Sequence, residues 1–222
     1  NVAGRADLSR ELQAWGRDSK LKFGGSYVYK TRDFDIQNFQ FPTGNTQFDG
    51  DPNSILDDEN LFSAENRNGV RYNPGFIPNN PNAFNSNVNN IGAYVSTELK
   101  PTEKLKAILG LRMENYVQNY SGTNQNGTIV LDNEEVLNEL DFFPTLTLIF
   151  ALKENQNIRL SATRTIARPS FKELSYAEIL DPITGRTFIG GLFTETTNGG
   201  QEVLWDGNLT PTRINNFDLR WE

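Results

Sequence analysis

The sequence predicts an all-β protein, a segment of an antiparallel, up-and-down transmembrane β-barrel with long external loops. Six segments alternate apolar and polar residues with a period of two, as strands with one apolar face do. No run of 18 or more apolar residues occurs, so no transmembrane helix is expected. Short and long connections alternate between the six segments, which favours a barrel over a soluble sandwich.

The first three predicted strands each place apolar side chains at alternate positions. The first strand is expected at 19–33, with Leu21, Phe23, Tyr27 and Tyr29 on one face. The second is expected at 88–100, with Ile91, Ala93, Val95 and Leu99 on one face. The third is expected at 104–119, with Leu105, Ala107, Leu109, Leu111 and Met113 on one face. Lysine, arginine, glutamate and small polar residues occupy most of the opposite face.

The same alternation predicts three more strands in the second half of the chain. The fourth is expected at 139–152, with Leu140, Phe142, Leu146, Leu148, Phe150 and Leu152 on one face. The fifth is expected at 157–167, with Ile158, Leu160, Ala162 and Ile166 on one face. The sixth is expected at 213–222, with Phe217, Leu219 and Trp221 on one face.

The connections between these strands predict two different ends of the sheet. Residues 100–104 and 153–157 are short enough for tight hairpins, whereas the connections at roughly 34–87, 120–138 and 168–212 are long. Antiparallel strands would bring the long connections together at one end. Outer-membrane barrels have this asymmetry, with short periplasmic turns and long external loops.

Composition narrows the classes of function. The chain has 222 residues with 36% hydrophobic and 11% aromatic residues, and its mean hydropathy is −0.55. Aromatic content argues against disorder, and the low hydrophobic content fits a sheet that is apolar on one face only. Cysteine and histidine are absent, which removes a disulfide framework, thiolate metal sites and the commonest general base. A net charge of −7 argues against a nucleic-acid partner.

Candidate sites are few, and the sequence predicts no catalytic, cofactor or metal site. The acidic segment 49–60 partly resembles a calcium loop, with Asp49, Asp51, Asn53 and Asp57 as candidate oxygen ligands. Ser54 and Asn60 stand where such a loop needs glycine and a bidentate glutamate, so a solvated acidic loop is favoured. Acidic runs at 57–59 and 134–135 have no partner base and are interpreted as solvated.

Aromatic residues suggest two further roles. Those near predicted strand ends are expected to form interfacial girdles: Tyr27, Tyr29, Tyr116, Tyr120, Phe142, Phe143 and Trp221. Those in the long connections either contact a ligand or, as is favoured, hold each loop against its neighbours. They are Tyr72, Phe76, Phe84, Tyr176, Phe188, Phe193 and Trp205.

Three stretches resemble a known family. The stretch at 157–175 is similar to a barrel strand of TonB-dependent outer-membrane receptors that ends in Arg-Pro-Ser-Phe. The stretch at 206–222 resembles the strand after the following loop of that family. The residues that carry this likeness are Gly207, Asn208, Leu209, Pro211, Thr212, Asn216, Asp218, Leu219 and Glu222. The stretch at 19–35 is similar to a mid-barrel strand of the family. The sequence as a whole resembles receptors of the Bacteroidetes type.

The resemblance implies a function that the residues alone do not give. The family's barrel has 22 strands and an N-terminal plug, so the chain is expected to be a C-terminal part of such a barrel. The family's plug domain is not recognisable in the sequence and is expected to lie outside it. A signal peptide is also expected to lie outside it, because Asn1–Trp15 is polar and charged. Implied partners are outer-membrane lipid, TonB through the plug, and a nutrient at the external loops: a metal chelate, an oligosaccharide or a peptide.

This implied protein is an active transporter in the bacterial outer membrane, not an enzyme. The cations expected to face the barrel lumen would contact the plug or tune passage: Lys20, Lys22, Lys30, Arg32, Arg112, Arg159 and Arg220. The alternative from the residues is a soluble extracellular β-sheet binding module for carbohydrate or protein. A carboxylate-based hydrolase would need converging acids in a cleft, which the sequence does not offer.

Overall fold

A computed structural model describes residues 1–36, 42, 50–51, 53–71, 80–181, 183–196 and 203–222. Seven strands form one antiparallel sheet, and four short strands form two small hairpins. The strands are β1 (Val2–Ala14), β2 (Arg17–Asp35), β3 (Ala83–Leu99), β4 (Leu105–Thr123), β5 (Val130–Lys153), β6 (Gln156–Ala167), β7 (Glu178–Leu180), β8 (Thr187–Ile189), β9 (Glu195–Thr196), β10 (Val203–Trp205) and β11 (Thr212–Trp221). A 3-10 helix lies at Ser54–Leu56. No helix in these ranges is long and apolar enough to cross a membrane.

The large sheet is an up-and-down meander with the strand order β1-β2-β3-β4-β5-β6-β11. Each strand pairs with its sequence neighbour, except that β11 follows β6 after the two small hairpins. Turns at 15–16, 100–104 and 154–155 lie at one end, called the short-turn end. Connections 36–82, 124–129 and 168–211 lie at the other, called the loop end. The predicted antiparallel fold is confirmed, and β1 and β11 form the edges of the sheet in the described residues.

Strand β1 was not predicted from the sequence, which showed only that the first fifteen residues are polar and charged. It pairs with β2 from Val2↔Tyr29 to Ala14↔Arg17. Its alternation is weak because Gly4, Ala6 and Arg10 occupy the face that carries large apolar residues elsewhere. The hairpin turn has positive φ at both Trp15 (54°) and Gly16 (66°), as the type I′ turn of a two-residue hairpin requires.

The connection predicted at 120–138 is shorter than expected. Strand β4 continues to Thr123 and β5 begins at Val130, so only 124–129 connects them. The pairing shifts register between Gln118 and Asn119, and again between Tyr120 and Gly122. These irregularities interrupt the period of two, which explains why the sequence pattern predicted a loop there. The strict alternation of long and short connections is therefore wrong at this position.

The sheet has two chemically different faces. Cross-strand register aligns Leu8, Phe23, Val95 and Leu111 in one row across β1–β4. These four side chains are exposed, at 63%, 43%, 47% and 45%. Their side of the sheet is called the apolar face, and the opposite side, which carries the ionic groups, is called the polar face. The described residues place no second layer over this row.

A buried apolar cluster lies on the polar face at the loop end. Phe84, Tyr120, Tyr176 and Ala177 form the buried cluster there. Phe84 was predicted to lie in a loop, but it belongs to β3 and is buried. The residues after β6 supply half of this cluster, so part of the long 168–211 connection folds back onto the sheet.

Candidate functional site

Charged side chains on the polar face are largely neutralised within the sheet. Glu98 on β3 accepts from Lys22 at 2.8 Å and lies 2.9 Å from Lys106. Arg112 bonds Glu114 at 2.6 Å. Of the seven cations predicted to face the lumen, four have a carboxylate within 4 Å: Lys22, Arg112, Arg159 and Arg220. The sequence placed all seven on this face by parity but did not identify their partners. Lys22 pairs with Glu98 of the neighbouring strand, whereas Arg112 pairs with Glu114 of its own strand.

Arg168 is the most enclosed cation among the ion pairs of this face. It is the first residue after β6, and its side chain is 14% exposed. Its guanidinium lies 2.9 Å from Glu114 and 3.5 Å from Asp141. Its Cζ also sits 4.6 Å from the centre of the Tyr116 ring. Arginine suits this place because its planar group can bond two carboxylates and stack on an aromatic ring.

Asp141 links this node to the edge strand. Only 4% of its side chain is exposed, and its Oδ1 accepts from Arg213 Nε at 2.8 Å. Arg213 also bonds Glu139 at 2.6 Å. A network of ion pairs therefore joins β4, β5 and β11 to Arg168, which begins the 168–211 connection. Its members are Arg112, Arg168, Arg213, Glu114, Glu139 and Asp141. A buried carboxylate is tolerated here because charged donors surround it.

The residues Arg168–Leu192, here called the inner segment, begin with one helical turn. Ser170 N donates to Glu173 Oε2 at 2.7 Å, and Leu174 N donates to Ser170 O at 3.1 Å. This is the capping-box arrangement, in which a glutamate satisfies a free backbone amide. The bonds from Ser170 hold the pKa of Glu173 below its ordinary value of 4.5.

A row of aromatic rings fixes the middle of the inner segment. The centres of Phe34 and Phe84 are 5.0 Å apart, those of Phe84 and Tyr120 are 5.5 Å apart, and those of Tyr120 and Tyr176 are 6.1 Å apart. Tyr120 Oη accepts from Tyr176 N at 3.3 Å. Such ring pairs stabilise beyond the area they bury. This row joins β2, β3 and β4 to the inner segment.

Hydrogen bonds to backbone groups of the inner segment complete its docking on the sheet. Gln125 Nε2 donates to Tyr176 O at 2.9 Å, and Glu178 N donates to Asn82 Oδ1 at 2.8 Å. Within the segment, Leu192 N donates to Ser175 O at 3.3 Å. At Gly190 the chain passes so close to Ser175 that a Cβ would overlap its carbonyl oxygen. The segment is therefore a packed part of the polar face at the loop end.

Aromatic residues were only partly predicted correctly. Tyr27, Phe142 and Trp221 are exposed on the apolar face, as girdle residues would be. Tyr116, Tyr120 and Phe143 instead belong to the polar face: the first and third lie under Arg168, and Tyr120 is fully buried. Tyr176 holds its loop against the sheet, the role favoured from the sequence, and Phe193 stacks with Trp205 at 6.5 Å. Tyr72 and Phe76 lie outside the described residues.

The calcium-loop candidates are not brought together by what the structure describes. Asp49 lies outside the described residues. Asp51 Oδ1 accepts from Asn53 N at 2.9 Å and from Asn53 Nδ2 at 3.0 Å, while Asp57 follows the 3-10 helix. Across the described ranges, no group of three acidic residues is placed to hold a metal ion. Calcium binding at 49–60 stays an untested hypothesis.

The inner segment was not predicted as a site. Arg168, Glu114 and Asp141 are far apart in sequence. The alternating pattern predicted only the face of the sheet on which Glu114 and Asp141 lie. Arg168 could have been suspected because an arginine stands directly before Pro169 where β6 ends. Its contacts with β4 and β5 depend on how the following loop folds, which no local pattern encodes.

Comparisons with known proteins place this two-faced sheet in a family. A family model described as "TonB dependent receptor-like, beta-barrel" matches residues 2–222. No curated protein sequence matches the chain. The alcaligin outer-membrane receptor FauA of Bordetella pertussis is 10% identical, with a TM-score of 0.49, over 99% of this chain and 35% of its own. The ferric-catecholate import receptor Fiu of K12 E. coli is 11% identical, with a TM-score of 0.46, over 99% of this chain and 34% of its own.

The chain spans about a third of the length of these two receptors. The count of 22 strands and the Bacteroidetes-type likeness stay predictions. The family is one of receptors and transporters rather than of enzymes. Because the family model covers nearly the whole chain, the chain belongs to the TonB-dependent receptor-like family and forms part of its β-barrel.

Proposed function

We propose that this chain is part of an outer-membrane receptor that takes up a scarce nutrient in a TonB-dependent manner. The nutrient is a metal chelate, an oligosaccharide or a peptide, captured at the loop end. TonB acts through a plug domain elsewhere in the receptor. The chain supplies the wall of the barrel and, through the inner segment, part of the surface that the nutrient meets.

The observation that carries this proposal is the contrast between the two faces. The row Leu8, Phe23, Val95 and Leu111 is exposed on one side, while ion pairs occupy the other. Apolar surface in water costs about 25 cal/mol per Å², so a continuous apolar face needs an apolar neighbour. Hydrocarbon on that side and a hydrated lumen on the other satisfy both faces. The soluble binding module gives the apolar face no neighbour.

The loop end is the side where nutrient would be captured. Its two longest connections, 36–82 and 168–211, rise from the same rim, whereas the short-turn end has only tight turns. The tip of the hairpin of β7 and β8 is exposed to solvent, with Ile183 92% exposed. Binding residues are commonly carried by loops on a rigid scaffold.

The orientation is tested by cysteine labelling, for which the chain is suited because it has no cysteine. Ile183→Cys marks the loop end and Asn155→Cys marks the short-turn end, and both positions are exposed. Each variant is made in the whole receptor, with any cysteine elsewhere in it replaced. Intact cells are treated with a membrane-impermeant maleimide, and labelling is compared before and after the outer membrane is permeabilised.

We expect Ile183→Cys to be labelled in intact cells and Asn155→Cys only after permeabilisation. The receptor should also run faster on gels before heating than after heating, as folded barrels do. Labelling of Asn155→Cys in intact cells, or of both positions equally, would contradict the proposed orientation. A receptor recovered in the soluble fraction would contradict the function itself.

A further inference from the structure

Arg164 is a cation on the apolar face. It belongs to β6, where Ile158, Leu160 and Ala162 share its parity and point to the same side. It follows Thr163, the last residue of β6 that pairs with β5, and it lies three residues before β6 ends at Ala167. It therefore stands near the loop end of β6.

The contacts of Arg164 leave most of its charge uncompensated. Its Nε donates to Asn215 Oδ1 on β11 at 3.1 Å, and the two residues are direct cross-strand partners. Within the described ranges no carboxylate lies within 4 Å of its guanidinium. By contrast, the polar-face arginine Arg159 has one such carboxylate and Arg168 has two. An arginine carries five N–H donors, so the terminal nitrogens of Arg164 remain available for an acceptor from outside the chain.

An apolar groove adjoins this guanidinium. It has a volume of about 560 Å³ and crosses β3, β4, β5, β6 and β11. Its floor is low where Ala162 is small, and larger side chains form its sides: Leu109, Leu111, Leu146 and Phe217. Arg164 and Asn215 lie together among the groove residues. One site therefore combines a fixed cation with a long apolar trough.

This combination is costly on a surface that faces lipid unless something neutralises the charge. An arginine on the lipid face destabilises a barrel by about 2–4 kcal/mol at the bilayer midplane and by roughly 0–1 kcal/mol near the interfaces. A phosphate group matches the planar guanidinium in charge and geometry. An acyl chain attached to that phosphate could lie in the neighbouring groove and bury its apolar surface.

We propose that Arg164 and Asn215 bind the phosphate of an anionic membrane lipid, with an acyl chain of that lipid in the groove beside them. Asn215 orients the guanidinium through its Oδ1, and Arg164 supplies the charge. The inference rests on the proposed function in one respect, namely that the apolar face meets a bilayer. It adds a specific lipid site to that general contact.

The test is lipid binding by the whole receptor, purified in a neutral detergent and measured by native mass spectrometry. The probes are phosphatidylglycerol, phosphatidylcholine with the same acyl chains, and inorganic phosphate. The variants are Arg164→Gln, Arg164→Lys and Asn215→Ala. The matched control is Arg220→Gln, which removes the same charge from the polar face of β11, where Arg220 pairs with Glu222.

We expect phosphatidylglycerol to bind more tightly than phosphatidylcholine, and Arg164→Gln to lose about tenfold in affinity for it, the effect of one charge-assisted contact. Arg164→Lys should retain part of the affinity, Asn215→Ala should lose part, and Arg220→Gln should match the unaltered receptor. Inorganic phosphate at the same concentration should not displace the lipid, because it cannot fill the groove.

Three results would overturn the inference: unchanged phosphatidylglycerol affinity in Arg164→Gln, an equal loss in Arg220→Gln, or displacement by inorganic phosphate alone. Heat-dependent gel mobility of each variant shows that its barrel is folded. A folded receptor that inserts correctly but binds both lipids equally loses only this inference. A receptor whose apolar face does not meet lipid loses the proposed function as well.

Discussion

At the scale of single residues, Arg168 is central to the ionic contacts of the polar face. It connects the end of β6 to β4 and β5 by contacts with Glu114 and Asp141, and it covers Tyr116. A lysine could match the charge but not the two simultaneous carboxylate contacts with ring stacking. The removal of this side chain would leave two enclosed carboxylates with less compensation.

Arg168→Ala is therefore expected to destabilise the folded barrel by roughly 3 kcal/mol, the scale for breaking an enclosed ion pair. Urea unfolding of the whole receptor measures this loss. The stability of Arg168→Lys should fall between those of the unaltered receptor and Arg168→Ala. Arg5→Ala is the control, because its pair with Asp7 is exposed to solvent and should contribute little to stability. Equal stability of the Arg168→Ala and Arg5→Ala variants would show that the node contributes little.

Glu173 predicts a pH dependence of the inner segment. Its pKa is lowered in the folded state by the bonds from Ser170, so its contribution is present in full above its ordinary pKa. The contribution is lost as the pH falls through the lower folded value. Hydrogen exchange at the Leu174 amide, corrected for intrinsic rates, should therefore rise below about pH 4. Glu173→Gln should exchange faster at neutral pH and lose this dependence, and an unchanged pH profile would contradict the assignment.

At the scale of elements, the inner segment is a packed unit held by an aromatic row. The row runs from Phe34 through Phe84 and Tyr120 to Tyr176 and joins three strands to the segment. Apart from those of Arg168, the described contacts of the segment with the sheet lie at the loop end, and the strands pair with one another without it. Its docking should therefore fail without unfolding the barrel.

Tyr176→Ala is expected to release the inner segment by removing the terminal ring of the row, at a cost of about 3 kcal/mol. Protease treatment of the folded receptor should then cut within 168–192, while heat-dependent gel mobility stays normal. Phe188→Ala is the control, because Phe188 is an exposed aromatic residue of the same segment and should leave cleavage unchanged. Resistance of Tyr176→Ala to cleavage would mean that other contacts hold the segment.

The elements also show what the sequence could predict. The alternation of apolar and polar residues predicted a strand wherever one face is consistently apolar, as in β4 and β6. Parity failed for β1, where Gly4, Ala6 and Arg10 weaken the apolar face, and at 120–138, where register shifts break the period. The inner segment was beyond prediction because its contacts join residues such as Arg168 and Glu114 that are distant in sequence.

At the scale of the whole molecule, the central claim is that the two faces of the sheet meet different environments. The cross-strand register keeps this division across the sheet: Thr97, Leu109, Leu146, Ala162 and Phe217 form a second continuous row on the apolar face. A shift of one residue in any strand would exchange its faces. The division is therefore a property of the complete sheet, and it can be tested on a single strand.

The most direct measurement is a nitroxide scan of β4 from Ile108 to Met113, with one label at a time in the whole receptor reconstituted in a bilayer. Collision rates are measured with oxygen, which concentrates in hydrocarbon, and with a water-soluble nickel chelate. Labels at 109, 111 and 113 should collide mainly with oxygen, whereas labels at 108, 110 and 112 should respond more to the chelate or be shielded from both. Equal oxygen exposure at all six positions, or the opposite phase, would contradict the account.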